Sequence, residues 1–116
     1  MRKIKSHVTG IDQGSLVLFS DFQDDGPMWT GSGSRELLRK VIFSEPFKEP
    51  PSVHVSLSMW DMDQKTNLRV DVSAQKVTIN GFQILFQTWA DTRIARMRAD
   101  WMAIGPLKDD LDWQVD

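Results

Sequence analysis

The acidic residues of this chain are the first candidates for chemistry. Asp61 and Asp63 lie two residues apart in a turn-like segment, and Asp71 follows shortly after them. Carboxylates at such spacing can ligate calcium, which prefers several oxygen ligands. The segment lacks the complete ligand pattern of a calcium loop, so we interpret these side chains as solvated turn residues. Two further acidic pairs, at 24–25 and 109–110, receive the same interpretation.

Nucleophilic and redox chemistry find little support in the composition. The 116 residues include no cysteine and two histidines, His7 and His54. The missing cysteines exclude disulfides and thiolate metal sites, and two histidines are too few for a histidine-built cluster. No nucleophile–base pair and no glycine-rich phosphate loop can be assembled from the sequence. We therefore expect a protein without enzymatic activity, metal or cofactor.

A tryptophan and an arginine are the stronger candidates for ligand binding. Trp89 follows an alternating strand pattern and precedes the polar break at 90–92. It is therefore expected at an exposed strand end, where aromatic side chains commonly meet ligands. Arg69 lies on another predicted strand. From its residue type alone, Arg69 is expected to form a surface ion pair with Asp71 or Asp91.

Both residues belong to strands, and the clearest strand pattern covers 81–105. Apolar side chains recur there at every second position, first at Phe82, Ile84 and Phe86, and later from Ala95 to Ala103. A period of two is typical of a strand with one buried face. The dipeptide at 80–81, Asn-Gly, predicts a tight turn into this stretch.

The rest of the chain also alternates in short runs. Further strands are expected at 7–11, 16–19, 35–43, 53–60, 68–73 and 75–79. Asp12-Gln13-Gly14 predicts a turn between the first two, and the proline-rich segment 45–51 predicts a crossover outside any central strand. Trp101 and either Met59 or Trp60 are expected in the core. Turn signals about every ten residues are typical of an antiparallel β-sandwich or small barrel.

One long break, at 21–34, interrupts the strands. A loop of this length in a compact domain is usually functional or disordered. It contains Met28 and Trp29, and large apolar side chains are uncommon in solvated linkers. Trp29 is interpreted either as an anchor that packs the loop onto the strands or as a residue that stacks on a ligand.

Length and charge limit the partners. A chain of 116 residues with 41% hydrophobic residues fits a single domain, 1–116. A net charge of −2 gives no support for nucleic-acid binding. No apolar run is long enough for membrane insertion, and the basic N-terminus lacks the apolar run of a signal peptide. The acidic segment 106–116 is expected to be a frayed or docked tail.

Residues 35–105 resemble the H-type lectin family. The similarity rests on five short motifs in the family's order and at similar spacing: the Pro-Pro pair before a long strand, NLRV, TINGF, TWADT and WMAI. No single motif is diagnostic, but all five in register make a chance match implausible. The resemblance implies a six-stranded antiparallel β-sandwich and assembly into a homotrimer or hexamer. It also implies binding of galactose or N-acetylgalactosamine between neighbouring subunits.

The same resemblance assigns site residues. The sugar-contacting arginine of the family matches Arg69, and its tryptophan matches Trp89. The histidine that follows this tryptophan in the family is Ala90 here, and the loop aspartate of the family aligns with Ser32. Asp91 and Thr30 border the same predicted site.

The resemblance thus implies a lectin that recognises galactose- or N-acetylgalactosamine-type glycans as an oligomer, in cell adhesion or receptor binding. It favours a location outside the cell, on a surface or on a virion-like particle. The alternative is a structural component of a particle or surface array. In that case the sugar site has decayed, which the neutral side chains of Ala90 and Ser32 would allow.

Overall fold

The computed structural model describes residues 1–109, which form six β-strands and two four-residue helices. Residues 110–116, the larger part of the predicted acidic tail, lie outside the described residues. In chain order the elements are β1 (Val8–Phe19), α1 (Asp21–Asp24), α2 (Pro27–Thr30), β2 (Arg35–Ile42), β3 (Ser52–Met62), β4 (Val70–Gln75), β5 (Gly81–Thr88) and β6 (Ile94–Leu107). Within residues 1–109 no helix has the length and apolar character needed to cross a membrane.

The six strands make two three-stranded antiparallel sheets. In sheet A the spatial order is β1-β6-β3, and in sheet B it is β2-β5-β4. The inner faces of the two sheets enclose one core, built on the central strands β5 and β6. This arrangement confirms the predicted six-stranded antiparallel sandwich.

The alternating pattern at 81–105 predicted the two central strands correctly. Phe82, Ile84 and Phe86 of β5 are buried, as are Met97 and Ala99 of β6. Met97 is 0% exposed, because both of its neighbouring strands in sheet A and the facing sheet cover it. The free energy gained by burying these apolar side chains therefore determines which face of each strand points inward.

The turn predicted at Asp12-Gln13-Gly14 is wrong, since β1 runs through it without a break. Gly14 is paired with Trp101 of β6, and a Cβ at Gly14 would lie 2.7 Å from the Trp101 indole nitrogen. Glycine is required there because a large ring covers the backbone of the neighbouring strand. Asp12 accepts hydrogen bonds from the backbone N–H and the hydroxyl of Ser44, at 2.7 and 2.9 Å. Asp12, one of the residues that suggested a turn, therefore anchors the crossover after β2.

The separate strand predicted at 75–79 is also wrong. β4 starts at Val70 rather than 68 and ends at Gln75, and the chain then turns at Lys76, whose φ is 51°. A left-handed residue cannot continue an extended strand. Residues 76–80 instead form a turn in which the Thr78 hydroxyl accepts hydrogen bonds from the N–H groups of Asn80 and Gly81, at 3.2 and 3.3 Å.

Two further predictions concern large apolar residues. Trp101 packs in the core against Phe43 and Phe82, with ring centroids 6.0 and 5.5 Å away. Trp60, however, is 60% exposed, whereas Met59 is half-buried. The register of β3 shifts between Leu57 and Met59, so the simple alternation does not persist to the end of that strand.

The break at 21–34 contains two helices of a single turn each, α1 and α2. The carboxylate of Asp21 accepts a hydrogen bond from the N–H of Met28 at 2.8 Å. Met28 is buried in the core, which ties the break to the sandwich. At the other end of the chain, β6 extends to Leu107, so the predicted tail begins later than residue 106.

Candidate functional site

The candidate site lies at the end of the sandwich where β5 turns into β6. Two buried hydroxyls, of Thr88 and Thr92, fix the neighbouring segment 67–69. Thr88 donates to the carbonyl of Arg69 at 2.6 Å, and Thr92 donates to the carbonyl of Asn67. The N–H of Arg69 donates in turn to the Thr92 hydroxyl at 3.1 Å. The backbone that carries Arg69 is therefore held in place before any ligand arrives.

Arg69 and Trp89 adjoin the same end of sheet B. Val70, the first residue of β4, is paired with Thr88, the last residue of β5. Arg69 precedes Val70 and Trp89 follows Thr88, so continuation of the antiparallel register would bring them opposite each other on the outer side of the sheet. Arg69 is exposed, and Trp89 is 40% exposed. Within residues 1–109 no carboxylate forms a salt bridge with Arg69, so the ion pair expected from its residue type with Asp71 or Asp91 is not made.

Ala90 shapes the turn that follows. Its φ of 61° is left-handed, which is uncommon for a residue with a Cβ. Its carbonyl accepts a hydrogen bond from the N–H of Gly33 at 2.8 Å, so the loop at 31–34 lies against this turn within a single chain. Ser32 is exposed in that loop. Thr30 belongs to the end of α2, where its hydroxyl donates to the carbonyl of Gly26 at 3.0 Å.

Asp91 supplies an ionised carboxylate beside Arg69. Its two oxygens accept hydrogen bonds from the backbone N–H and the side-chain amide of Asn67, at 3.4 and 3.1 Å. The side-chain hydrogen bond from Asn67 is the main cause that lowers the pKa of Asp91 below its ordinary value, and the positive charge of Arg69 lowers it further. Asp91 is therefore a hydrogen-bond acceptor throughout the neutral range.

Arg35 connects the loop to the turn and was missed by sequence reasoning. Its guanidinium donates to the carbonyls of Gly33, Pro27, Met28 and Thr92, at 3.0, 3.2, 3.2 and 2.7 Å. Burial lowers the pKa of Arg35 below its ordinary value. A loop rich in glycine and serine has few side-chain donors for its own carbonyls. The arginine at the end of this loop could therefore have been predicted as their hydrogen-bond donor.

Trp29 anchors the break to the sandwich. The guanidinium of Arg93 lies 4.2 Å from the ring centroid of Trp29, and its Nε donates to the Trp29 carbonyl at 2.9 Å. Arg93 is held by a salt bridge to Asp63 at 3.2 Å. The ring of Phe22 packs edge-on against Trp29, with centroids 5.2 Å apart. These contacts on both sides favour the interpretation of Trp29 as an anchor over that of a stacking residue.

The acidic residues considered for calcium have other partners. Asp63 pairs with Arg93, and Asp61 pairs with Arg96 at 3.1 Å on the outer face of sheet A. Across the part of the chain that the structure describes, no three histidine, aspartate or glutamate side chains are grouped so that they could hold a metal ion.

A shallow cavity of about 350 Å³ adjoins Trp89 on the outer face of sheet B. It is lined by Ser34, Arg35, Glu36, Gln87, Thr88 and Trp89. The indole of Trp89 therefore adjoins a polar surface of the sheet. An exposed indole between hydrogen-bonding groups can pack against the C–H face of a sugar while its hydroxyls bind the polar groups.

Comparison with known proteins gives a consistent result. The model of the family described as "H-type lectin domain" matches residues 38–104. A protein of Fuscovulum blasticum described as "ATP synthase subunits region ORF 7" is 60% identical over 107 residues, which cover 92% of this chain and 93% of that protein. A discoidin-1 polypeptide of Dictyostelium discoideum is 33% identical over 81 residues, which cover 69% of this chain and 32% of that protein.

Solved structures show the same fold. Recombinant discoidin II of Dictyostelium discoideum superposes with a TM-score of 0.73 at 21% identity, over 89% of this chain and 40% of that one. The present chain therefore spans about a third of the length of the discoidin-1 polypeptide and two fifths of that of discoidin II.

Proposed function

Because the chain belongs to the H-type lectin domain family, we propose that it is a carbohydrate-binding lectin whose sugar site lies at the turn between β5 and β6. One observation carries this proposal. Arg69 and Trp89, both exposed, adjoin the paired ends of β4 and β5, on backbone that buried hydroxyls hold in place. Such preorganised groups bind a ligand without a large cost for ordering them.

The two side chains have complementary roles. Arg69 donates hydrogen bonds to two adjacent hydroxyls of one sugar, because its guanidinium presents several donors in a fixed plane. Trp89 packs its ring against the C–H face of the same sugar. Asp91, which is ionised, accepts a hydrogen bond from a further hydroxyl. Ala90, Thr30 and Ser32 form the border of the site through the turn and the adjoining loop.

We assign the ligand to the galactose and N-acetylgalactosamine type on family grounds, with weak binding of single sugars. The positions that supply a histidine and a loop aspartate in the family resemblance are Ala90 and Ser32 here. A lost hydrogen bond to a charged group reduces affinity by roughly one to two decades. Useful affinity then requires several sites on one assembly, since linked sites raise avidity without new contacts.

Self-association would supply those sites, and the outer face of sheet A is the surface that we assign to it. Ile11, Val17 and Met102 are exposed on this face. Ile11 and Met102 lie on adjacent rows of the sheet, and adjoining exposed apolar groups are typical of protein contacts. Charges on this face already have partners within the chain, such as Arg96, which forms a salt bridge with Asp61 at 3.1 Å. A subunit contact on this face would therefore not bury these charges without a partner.

Light scattering after size-exclusion chromatography tests the assembly. We expect a mass of three chains or a multiple of three. A monomer that persists at high protein concentration would contradict the assembly and every site shared between subunits.

A glycan array followed by titration calorimetry tests the function itself. We expect binding of galactose- or N-acetylgalactosamine-terminated glycans, and a loss of at least tenfold in Arg69→Ala. Lys40→Ala is the matched control, because it removes an exposed cation from the outer face of the same sheet, at the row of Gln83, away from the site. Equal loss in both variants would show that Arg69 acts through general charge and would remove it from the site.

A gain-of-function experiment addresses the sugar type. Ser32→Asp combined with Ala90→His restores the family's acceptor and histidine. Histidine tolerates the left-handed φ of position 90 better than most residues. The double variant should bind N-acetylgalactosamine about tenfold more tightly than the natural chain. Tight binding of the monosaccharide by the unmodified protein would show that other residues replace the missing pair.

The second candidate function is structural, as a component of a particle or surface array with a decayed sugar site. The observation that favours it is that position 90 carries only a methyl group and position 32 only a neutral hydroxyl. A chain that assembles but binds no glycan on the array would support this alternative. Either function would place the protein outside the cell, on its surface or on a particle.

A further inference from the structure

The outer face of sheet B continues from the proposed sugar site into a second polar row. In the antiparallel register, Gln87 of β5 is paired with Glu36 of β2 on one side and with Asp71 of β4 on the other. This row lies two residues along the strands from Arg69 and Trp89. Side chains two residues apart on a strand lie on the same face, about 7 Å from each other. The distance is close to the width of one pyranose ring.

We propose that this row is a second sugar subsite, which binds the sugar residue linked to the one held by Arg69 and Trp89. The inference rests on the proposed lectin function and names what lies beyond its first sugar. The cavity of about 350 Å³ beside Trp89 is lined by both Glu36 and Gln87. The indole therefore borders both subsites, and a disaccharide can lie across it.

The chemistry of the row complements that of the first subsite. Arg69 can only donate hydrogen bonds, so hydroxyls bound to it must act as acceptors. The carboxylates of Glu36 and Asp71 accept hydrogen bonds from hydroxyls, and the amide of Gln87 both donates and accepts. In residues 1–109 neither carboxylate takes part in a salt bridge, so both can accept from a ligand.

The charges of the row favour a neutral second sugar. Glu36 and Asp71 lie about 5 Å to either side of Gln87, the spacing of paired side chains in neighbouring strands. Two cations lie near the row: Arg69 binds the first sugar in this proposal, and Arg35 directs its guanidinium to four backbone carbonyls of the loop and turn. A sulfate on the second sugar would replace a donating hydroxyl with a negative charge beside these carboxylates.

Titration calorimetry with two ligands tests the subsite. The probes are methyl N-acetylgalactosaminide and a neutral disaccharide in which N-acetylgalactosamine is the terminal residue. Gln87→Ala should lower the affinity for the disaccharide about fivefold, which is the effect of one lost hydrogen bond. It should leave the affinity for the monosaccharide unchanged. Gln83→Ala is the matched control, because Gln83 lies on the same face of β5, one row beyond Leu85.

A sulfated form of the disaccharide tests the role of the carboxylates. In the natural chain it should bind at least fivefold more weakly than the neutral form. The pair Glu36→Gln and Asp71→Asn, combined in one variant, should bring the two affinities within about twofold. Thermal melts establish that the variants remain folded.

The outcomes separate the two proposals. Monosaccharide binding that depends on Arg69, without any difference between Gln87→Ala and Gln83→Ala, would overturn the second subsite and leave the lectin function standing. Equal binding of the neutral and sulfated disaccharides by the natural chain would overturn it as well. An absence of binding for all probes would overturn the lectin function, and the second subsite with it.

Discussion

Arg35 is expected to be the main support of the candidate site, and its replacement by alanine gives a sharp prediction. Its guanidinium donates to carbonyls in the loop and in the turn between β5 and β6. Two of these hydrogen bonds, to Met28 and Thr92, are part-buried, while those to Gly33 and Pro27 are exposed. Water can replace the exposed bonds at little cost, but not the part-buried ones.

The expected magnitude follows from the two part-buried bonds. A hydrogen bond to a charged group contributes about 1.5 kcal/mol at the low end of its range, so Arg35→Ala should lower the free energy of unfolding by about 3 kcal/mol. For a domain of 116 residues that corresponds to a fall in Tm of about 12 °C. Arg35→Lys should have an intermediate effect. Its ammonium keeps the positive charge, but a single nitrogen cannot replace the three nitrogens with which the guanidinium reaches carbonyls in both the loop and the turn.

Thermal unfolding followed by circular dichroism measures this effect, and Arg39→Ala is its control. Arg39 lies four residues further along the same strand, and it is half-buried like Arg35. Its guanidinium donates to the carbonyl of Leu38 at 3.4 Å. A Tm of Arg35→Ala within about 3 °C of that of Arg39→Ala would refute the reasoning. It would show that the loop and the turn hold together without the guanidinium.

Three other outcomes follow from the same structure. Met97→Asp should prevent folding, since it places an unpaired carboxylate at a fully buried position. Arg69→Ala should leave the Tm nearly unchanged. Equal destabilisation by the two variants in thermal melts would show that Arg69 has a structural role. Ala90→Gly should raise the stability measured by urea unfolding by about 0.5–1 kcal/mol, because glycine adopts φ of 61° without strain, while Ala74→Gly, in the extended β4, should lower it. The lowered pKa of Asp91 means that its hydrogen bonds contribute stability above the ordinary carboxyl pKa of 3.8 and lose it as the pH falls through the lower, folded value. The difference in stability between the natural chain and Asp91→Asn should therefore stay constant from pH 7 to about 5 and shrink only below about 3.8; a steady decline between pH 7 and 5 would contradict this sign.

The strands that alternate strictly could be predicted from the sequence, and those shaped by contacts elsewhere could not. In β5 each residue has the same inward or outward position as its neighbours two places away, so the hydrophobic pattern determines the face. In β1 the decisive contact of Gly14 is with Trp101, 87 positions later, and local turn propensity gave the wrong result. Trp60 illustrates the same limit, because a register shift in β3 precedes it.

The site could be predicted in part, for a related physical reason. Motifs of the family predict Arg69, Trp89 and Asp91 as site residues, and in the structure the segment that carries Arg69 lies against the turn that carries Trp89 and Asp91. The supporting residues left no comparable signal. Arg35 and Thr92 act through backbone carbonyls, which every residue possesses, so their partners cannot be inferred from residue types.

The structure thus separates two arginines that look equivalent in the sequence. Arg35 is surrounded by carbonyl acceptors and holds the site together, so it has few donors to offer a ligand. Arg69 has its backbone fixed by the two threonines while its guanidinium stays exposed. Because the main chain of Arg69 is already fixed, ligand binding has to reduce only the conformational entropy of its side chain. The stability effect should therefore fall on Arg35 and the affinity effect on Arg69, and a variant of either residue that altered both equally would break this division.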